Sequence, residues 1–411
     1  MKIRDLIQFR SDLFFDGAVQ LLWADDQIKR ADEAARSFVF HGPRYHGVSK
    51  DGHADEIYRL TDTASLAADL LTRIADETEA HRNPFSLAIA GYGSGKSHFA
   101  LALTRLLREP HSALSEQILS NLTLAEPRAA EAARQALGKI QKPALVIALD
   151  GTGNFNLGNA LSASLFRSLK EQHIDDRVLR ELSPRFDDAA SFVNRNYELR
   201  TSEFTARFPT KTQQDIVALL EARDEDTYAL VDTLYWEANG AHIPVSGRES
   251  IQELITVFCD TYCTAEGPFS RLVIVFDEFG RFLEYVAERP ALAGDSALQQ
   301  IFQGIQDNAS RAHFLGFIQY ELKAYLARLG TRDAMHIQRF ITRFDVAKKY
   351  HVSSNLETII AHLLEKKDEQ ALETRLGRQR ASHQALHTMM AAMLPDSNNC
   401  RFGMIRKSLS A

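Results

Sequence analysis

Four short apolar runs, each followed by polar or glycine-rich residues, stand out along the chain. They are Phe85–Ala90, Ala144–Leu149, Leu272–Phe276 and Phe314–Ile318. Each run is short and apolar at successive positions, which is typical of a strand that is buried on both faces. Helical patterns lie between the runs. The chain therefore predicts an α/β fold, a three-layer αβα arrangement with a mostly parallel sheet.

The spacing of these runs also predicts the domain organisation. Residues 1–62 have a mixed helical and loop pattern, and residues 63–350 contain the sheet. The interval of about 173–250 is longer than a simple crossover requires, so we expect an inserted helical subdomain there. Residues 351–411 have a helical pattern. A new amphipathic stretch, Phe402–Leu409, favours a chain that ends partway into a further domain, with a short closing helix as the alternative.

Composition and charge restrict the class of protein. The chain has 411 residues, with 48 Lys and Arg against 54 Asp and Glu, and a net charge of −6. This balance gives no overall footprint for sequence-independent DNA binding, although a local basic groove is compatible with it. No apolar run approaches the roughly 18 residues that cross a bilayer, and the amino terminus lacks the apolar core of a secretion signal. We expect a cytoplasmic protein without a membrane span.

The turn after the first strand carries the clearest chemical signal. It fits the phosphate-loop pattern, with Ala in place of the first Gly. Its residues are Ala90, Gly91, Tyr92, Gly93, Ser94, Gly95, Lys96 and Ser97. Glycines allow successive backbone N–H groups to face one anion, and the helix expected from Lys96 to about Leu107 adds its positive end.

This turn predicts a site for ATP and Mg²⁺. We expect Lys96 to reach the β- and γ-phosphates and Ser97 to hold the metal ion, with His98 in the same nucleotide-binding segment. A flexible Gly-Ser turn beside a solvated lysine is the alternative interpretation. The position of the turn, between a predicted strand and a predicted helix, favours the phosphate loop.

Two adjacent carboxylates follow the third apolar run. Asp277 is expected to bind Mg²⁺, and Glu278 to orient and polarise an attacking water. Gln319 follows the fourth run and should lie beside the phosphates, because ligands of a parallel sheet bind outside the carboxyl ends of its strands. There it would sense the γ-phosphate. The alternative for both sets is a strand that simply ends in polar residues.

An arginine-containing segment follows the last helical stretch of this region. Arg343, with Arg339 as second choice, would stabilise the transferring phosphoryl group if a neighbouring subunit delivered it. A solvated or ion-paired arginine is the alternative, because surface arginines are common.

Histidine and cysteine residues give weaker signals. His41 and His46 flank Pro43, which predicts a structural turn, with packing near the adenine as the alternative. Cys259 and Cys263 lie four apart in a helical pattern without a second metal-binding pair. We therefore expect two buried small side chains rather than a metal site.

With these motifs, the chain resembles the additional-strand, catalytic-glutamate division of phosphate-loop ATPases, close to the AAA+ and STAND groups. Ala90–Ser97, Val273–Glu278 and Gln319 carry the resemblance, which spans roughly residues 60–350. The stretch Val275–Phe282 and the His-Gly-Pro loop are also similar to large ATPases of bacterial phage-defence loci, including BREX-type proteins. Many of those proteins are several times longer than this chain.

The resemblance implies an ATP hydrolase. Lys96, Ser97, Asp277 and Glu278 would be its nucleotide, metal and catalytic residues, and Gln319 its first sensor. Hydrolysis would drive a conformational change in a DNA-linked or phage-defence complex, with a homo-oligomer, DNA and defence proteins as partners. A STAND-like signalling switch or a scaffold with little turnover is the alternative output. No clear lid-domain arginine motif is visible in the carboxyl-terminal segment.

Overall fold

The computed structural model describes residues 5–43, 60–76, 83–244, 250–326, 342–344, 346–353 and 356–374, together with residues 338 and 377. The strands in this part of the chain are β1 Ile7–Phe9, β2 Leu60–Thr61, β3 Phe85–Ile89, β4 Leu145–Asp150, β5 Leu272–Asp277, β6 Ala312–Ile318, β7 Lys348–Val352 and β8 Leu364–Lys366. The helices are α1 Trp23–Asp26, α2 Ile28–Arg36, α3 Thr63–Ala75, α4 Lys96–Arg108, α5 Ala113–Ala125, α6 Pro127–Lys139, α7 Leu157–Glu171, α8 Arg177–Arg180, α9 Arg185–Asn196, α10 Thr201–Arg207, α11 Gln213–Glu221, α12 Glu225–Asn239, α13 Ile251–Tyr262, α14 Phe279–Glu288, α15 Pro290–Ala293, α16 Asp295–Asp307, α17 Leu322–Leu326 and α18 Leu356–Leu363.

Six strands form the central sheet in the order β2-β7-β3-β6-β5-β4. Every neighbouring pair in this sheet is parallel. Strand β6 therefore lies between β3 and β5, although it follows both in the sequence. The short strands β1 and β8 form a separate antiparallel pair. These pairings confirm the predicted α/β class and the parallel sheet.

Helices cover the sheet on both faces, and the alternation of side chains along β5 shows why. Val273 and Val275 join one hydrophobic cluster, together with apolar residues of α3, α4, α5 and α6. Leu272, Ile274 and Phe276 join a second cluster, with residues of α7, α13, α14 and α16. A strand that packs on both sides has no exposed face, so its sequence is apolar without a polar alternate.

The apolar runs located β3, β4, β5 and β6 to within two residues at either end. The edge strand β2 and its neighbour β7 were not predicted. The sequence pattern predicts Thr63 as the cap of α3, but this prediction is wrong, because Asp62 caps the helix by accepting from the Ser65 N–H at 2.6 Å. Thr63 is instead the first helical residue. The helical pattern of residues 351–411 also predicts Leu364 on one apolar stripe with Leu356, Ile359, Ile360 and Leu363, but Leu364 belongs to β8.

A group of helices with its own core lies between β4 and β5. Helices α9 to α12 enclose a hydrophobic cluster that is separate from those on the sheet and includes Phe192, Phe204 and Ile216. These helices fall within the interval predicted as an insertion. The predicted stretch Phe402–Leu409 lies outside the described residues. In the part of the chain that the structure describes, no helix has the length and apolar character needed to span a membrane.

Candidate functional site

The glycine-rich turn connects β3 to α4 at the carboxyl edge of the sheet. Gly93 and Gly95 have φ values of 73° and 82°, in the left-handed region that glycine adopts without steric cost. The Ser94 hydroxyl donates to the Gly91 carbonyl at 2.8 Å, which closes the turn. Lys96, the first residue of α4, is buried, and its ammonium donates to the carbonyls of Ala90 and Gly91 at 3.1 Å each. The turn thus holds a cation beside the amino end of a long helix.

The end of β5 meets this turn. Asp277 is only 2% exposed, and its carboxylate accepts hydrogen bonds from the Ser97 hydroxyl and, at 2.9 Å, from the Glu278 N–H. The Lys96 ammonium lies 4.0 Å from Glu278 Oε1. Residues almost two hundred positions apart in the sequence therefore share one site. This is the convergence that the two motifs predicted.

Glu278 is held in an unusual backbone conformation. Its φ of 49° and ψ of 35° lie in the left-handed region, which non-glycine residues rarely occupy. Gly151, directly after β4, packs against it: the Gly151 N–H donates to the Asp277 carbonyl at 2.9 Å, and a Cβ on Gly151 would lie 2.2 Å from the Glu278 carbonyl oxygen. A side chain at position 151 would therefore displace Glu278.

Gln319 lies beside the same carboxylate. Its Nε2 donates to both oxygens of Glu278, at 2.9 and 3.2 Å, and its backbone N–H donates to the Tyr325 hydroxyl at 3.2 Å. Tyr325 in turn packs so closely on Gly280 that a Cβ there would overlap the phenol ring. Tyr325 and Gly151 are positioning residues that sequence reasoning missed. Their only signal was a glycine after β4 and a tyrosine shortly after β6.

Burial dominates the electrostatics of the site. It raises the pKa of Asp277 to about 6; the hydrogen bond from Ser97 opposes this shift, and the charges of Asp150 and Glu278 add to it. Three carboxylates thus lie near one buried position, with the Lys96 ammonium close to one of them. A bound cation would offset this negative charge.

Mg²⁺ fits the donors of this site better than a metal that needs a full protein cage. Magnesium keeps several waters and takes one or two protein oxygens besides those of a phosphate, and Ser97 and Asp277 supply a hydroxyl and a carboxylate. Within the described ranges, no group of three or more His, Cys, Asp or Glu side chains is arranged to hold a metal.

The raised pKa gives a prediction about stability. Because the pKa of Asp277 is about 6 in the folded protein and near 4 in an unfolded chain, folding favours the protonated carboxyl, and stability falls as pH rises through this interval. We expect Asp277→Asn to raise the free energy of unfolding by about 2 kcal/mol at pH 7.5 without Mg²⁺. The gain should disappear near pH 4. Urea unfolding at pH 7.5 and at pH 4 measures this gain. Asp188→Asn, a change of an exposed carboxylate, is the control. Equal stability of Asp277→Asn and the parent at pH 7.5 would contradict the prediction.

The remaining residues of the nucleotide-binding segment have different surroundings. Tyr92 is 94% exposed. The half-buried His98 imidazole packs against Phe38, with ring centroids 5.0 Å apart, and bonds to the Ala34 carbonyl at 2.6 Å. Burial lowers its pKa. Its side chain therefore anchors α2 to α4.

His41 has a structural environment. Its two ring nitrogens lie 3.0 Å from the hydroxyls of Thr63 and Ser353, and its backbone N–H donates to Thr63 as well. These bonds tie the amino-terminal segment to α3 and to the end of β7. His46 lies outside the described residues.

The backbone of the predicted Arg343 lies away from this site in its own chain. The backbone of Arg343 belongs to a short turn, Thr342–Phe344, and the Phe344 ring packs 6.0 Å from that of Phe85 at the amino end of β3. The glycine-rich turn is at the opposite end of that strand. Delivery of Arg343 to a neighbouring subunit remains a prediction, and Arg339 lies outside the described residues. Cys259 and Cys263 are buried free thiols, as predicted.

No protein-family model matches the chain, and no curated protein matches it. The chemistry of the site thus rests on its own residues. Backbone N–H groups at a helix start and the Lys96 ammonium suit a phosphate chain, the Ser97 and Asp277 pair suits a hard cation, and the Glu278 carboxylate lies beside the Lys96 ammonium.

Proposed function

We propose that the protein binds Mg·ATP and hydrolyses the bond between its β- and γ-phosphates. The observation that carries this proposal is the convergence of the Lys96 ammonium, the Ser97–Asp277 pair and Glu278 at one edge of the sheet. The position of β6 between β3 and β5 supports it, because an added strand between these two is the feature that names the additional-strand division of phosphate-loop ATPases.

Each residue has a distinct task in this proposal. The backbone N–H groups of the turn bind the phosphate chain, and Lys96 exchanges its two carbonyl partners for the β- and γ-phosphate oxygens. Ser97 and Asp277 would hold Mg²⁺, which when bound offsets the phosphate charge. Glu278 orients the attacking water and accepts its proton, and Gln319 holds the Glu278 carboxylate in place.

A nucleotide-dependent switch with slow turnover is the second candidate. It is favoured by the contact between Glu278 and Gln319, because both carboxylate oxygens already accept hydrogen bonds from this amide. Each oxygen keeps a further lone pair, so the amide fixes the orientation of the carboxylate without occupying it completely. Turnover would be slow if the attacking water can be polarised only in another orientation, which Gln319 would have to release.

The test is nucleotide binding and phosphate release with and without Mg²⁺. The proposal expects saturable binding of ATP, measured by calorimetry, and Mg²⁺-dependent release of phosphate in the steady state. Tight binding with little release would favour the switch. Absence of binding at millimolar Mg·ATP would contradict both candidates.

From the resemblance to phage-defence ATPases, we propose that hydrolysis changes the arrangement of a DNA-linked or defence complex, with a homo-oligomer as the working form. DNA-stimulated turnover that disappears at high salt would support this role, because phosphate contacts are screened by salt. A size measurement with and without a non-hydrolysable ATP analogue tests the assembly. Turnover unaffected by DNA and a size unaffected by the analogue would contradict it.

A further inference from the structure

A cavity separate from the candidate site lies between the helices on the sheet and the helical group α9–α12. It measures about 230 Å³. Its walls come from α7, α13 and α16 on one side and, on the other, from the starts of α9 and α12 and the loop between α11 and α12. We infer that this cavity binds a small organic oxyanion, a carboxylate or a phosphate ester, through the guanidinium of Arg223. The inference concerns binding alone and does not depend on the proposed ATPase activity.

Arg223 has unused hydrogen-bond donors inside the protein. The residue is only 2% exposed, and its Nη1 donates to the Leu220 carbonyl and to the half-exposed Asp187 carboxylate, at 3.3 and 3.0 Å. Its Nε and Nη2 are buried without a partner. A buried donor that lacks an acceptor costs roughly 1–3 kcal/mol, so native proteins rarely leave one. Nε and Nη2 lie on one edge of a guanidinium, and such an edge pairs with two oxygens of a carboxylate or phosphate.

The backbone and two rings hold Arg223 at this position. Its φ of 61° is left-handed, in a loop where glycine would be less strained. Its guanidinium carbon lies 4.9 Å from the ring centre of Phe166 and 5.1 Å from that of Phe186. Phe166 belongs to α7 and Phe186 to α9, so the guanidinium is packed between both walls of the cavity.

The charges of the lining favour an anion. Its charged side chains are Arg185, Arg223 and Glu225. Glu225 is engaged by both terminal nitrogens of Arg185, so this carboxylate does not neutralise Arg223. Among the described residues, Asp187 is the carboxylate paired with Arg223; it contacts Nη1 from outside the lining and offsets part of the charge. The lining residues themselves carry one net positive charge, and Nε and Nη2 are the donors there without an acceptor.

Neutral polar groups and the cavity volume define the rest of the ligand. Asn159, Ser162 and Ser183 add amide and hydroxyl groups to the walls. The volume is below the range of about 300–1,000 Å³ that is common for drug-sized ligands. The ligand should therefore be a metabolite-sized oxyanion with hydroxyl or similar polar groups.

The test is thermal unfolding of the full chain with inorganic phosphate, malonate, citrate or glycerol 3-phosphate at constant ionic strength, with glycerol as the uncharged control. The phosphate loop also attracts oxyanions, so the parent for this test is Lys96→Ala. We expect at least one probe to raise Tm saturably by ~3 °C or more, because a ligand of the folded state stabilises it. Comparison of malonate and citrate with inorganic phosphate and glycerol 3-phosphate then shows whether the cavity prefers a carboxylate or a phosphate.

Two variants locate the response. Arg223→Gln removes the guanidinium, and Ser162→Phe fills the cavity from α7 without changing Arg223; both should abolish the shift. Arg207→Gln, in α10 and paired with Glu237 at the surface, should retain it. If Arg223→Gln does not fold, loss of the Tm shift in Ser162→Phe tests whether the probe binds in this cavity. A shift that persists in the variants that fold, or no shift with any probe, would overturn the inference and leave water as the partner of Arg223.

Discussion

Replacing Lys96 with Ala is expected to weaken the binding of Mg·ATP by at least about a hundredfold. Two hydrogen bonds from a charged donor contribute roughly 3 kcal/mol together, which corresponds to this factor. This contribution is expected of Lys96 because its side chain is buried, so water competes little for the ammonium. Without a nucleotide, this ammonium bonds to two carbonyls of the turn itself, and the variant should remain folded.

Calorimetric titration of Mg·ATP into parent and variant measures this loss. Lys142→Ala is the matched control, because the Lys142 ammonium also bonds to backbone carbonyls, those of Thr264, Ala265 and Gly267. Lys142 precedes β4, at the end of the sheet opposite the glycine-rich turn. The control should bind nucleotide as the parent does. Unchanged affinity in a folded Lys96→Ala would remove the turn from the proposed site.

Strands β3, β4, β5 and β6 could be predicted because a strand that is buried on both faces is apolar at successive positions, and this pattern is visible in the sequence itself. A run such as Leu272–Phe276 is apolar at every position, and few other structures produce this pattern at such short length. Strand β7 lacks this pattern, although it lies between β2 and β3. Of its five residues only Tyr350 is buried, and Lys348 and Lys349 interrupt its apolar character. The sheet order also depends on long-range pairing that no local pattern specifies.

The candidate site was predictable where one segment contains the chemistry. The turn before α4 and the pair Asp277–Glu278 are contiguous in the sequence, so residue type and spacing sufficed. Gly151 and Tyr325 act on Glu278 and Gln319 only through folding, because β4 pairs with β5 and α17 follows β6. Arg223 was equally hidden, since its Nε and Nη2 lack acceptors only once α7 and α9 pack around the guanidinium.

Glu278→Gln should separate binding from turnover. General-base catalysis contributes roughly 10²–10⁴-fold, and the amide of Gln cannot accept the proton of the attacking water. We expect the rate of phosphate release to fall by about a hundredfold or more, with the affinity for Mg·ATP within about threefold of the parent, a change of less than 1 kcal/mol. Affinity should persist because Lys96, Ser97 and Asp277 are unchanged. The new side chain has the same shape and keeps an oxygen for the Gln319 amide.

Single-turnover phosphate release at saturating nucleotide, beside a calorimetric titration, measures both quantities. Glu288→Gln is the control, since Glu288 is an exposed carboxylate at the other end of the same helix α14. This control should match the parent in both measurements. Equal rates in parent and Glu278→Gln would exclude Glu278 as the base, whereas loss of binding would mean that its charge supports the nucleotide site itself. A slow rate in the parent that Glu278→Gln lowers further would instead favour the switch, because the contact between Gln319 and Glu278 would then limit a base that still acts.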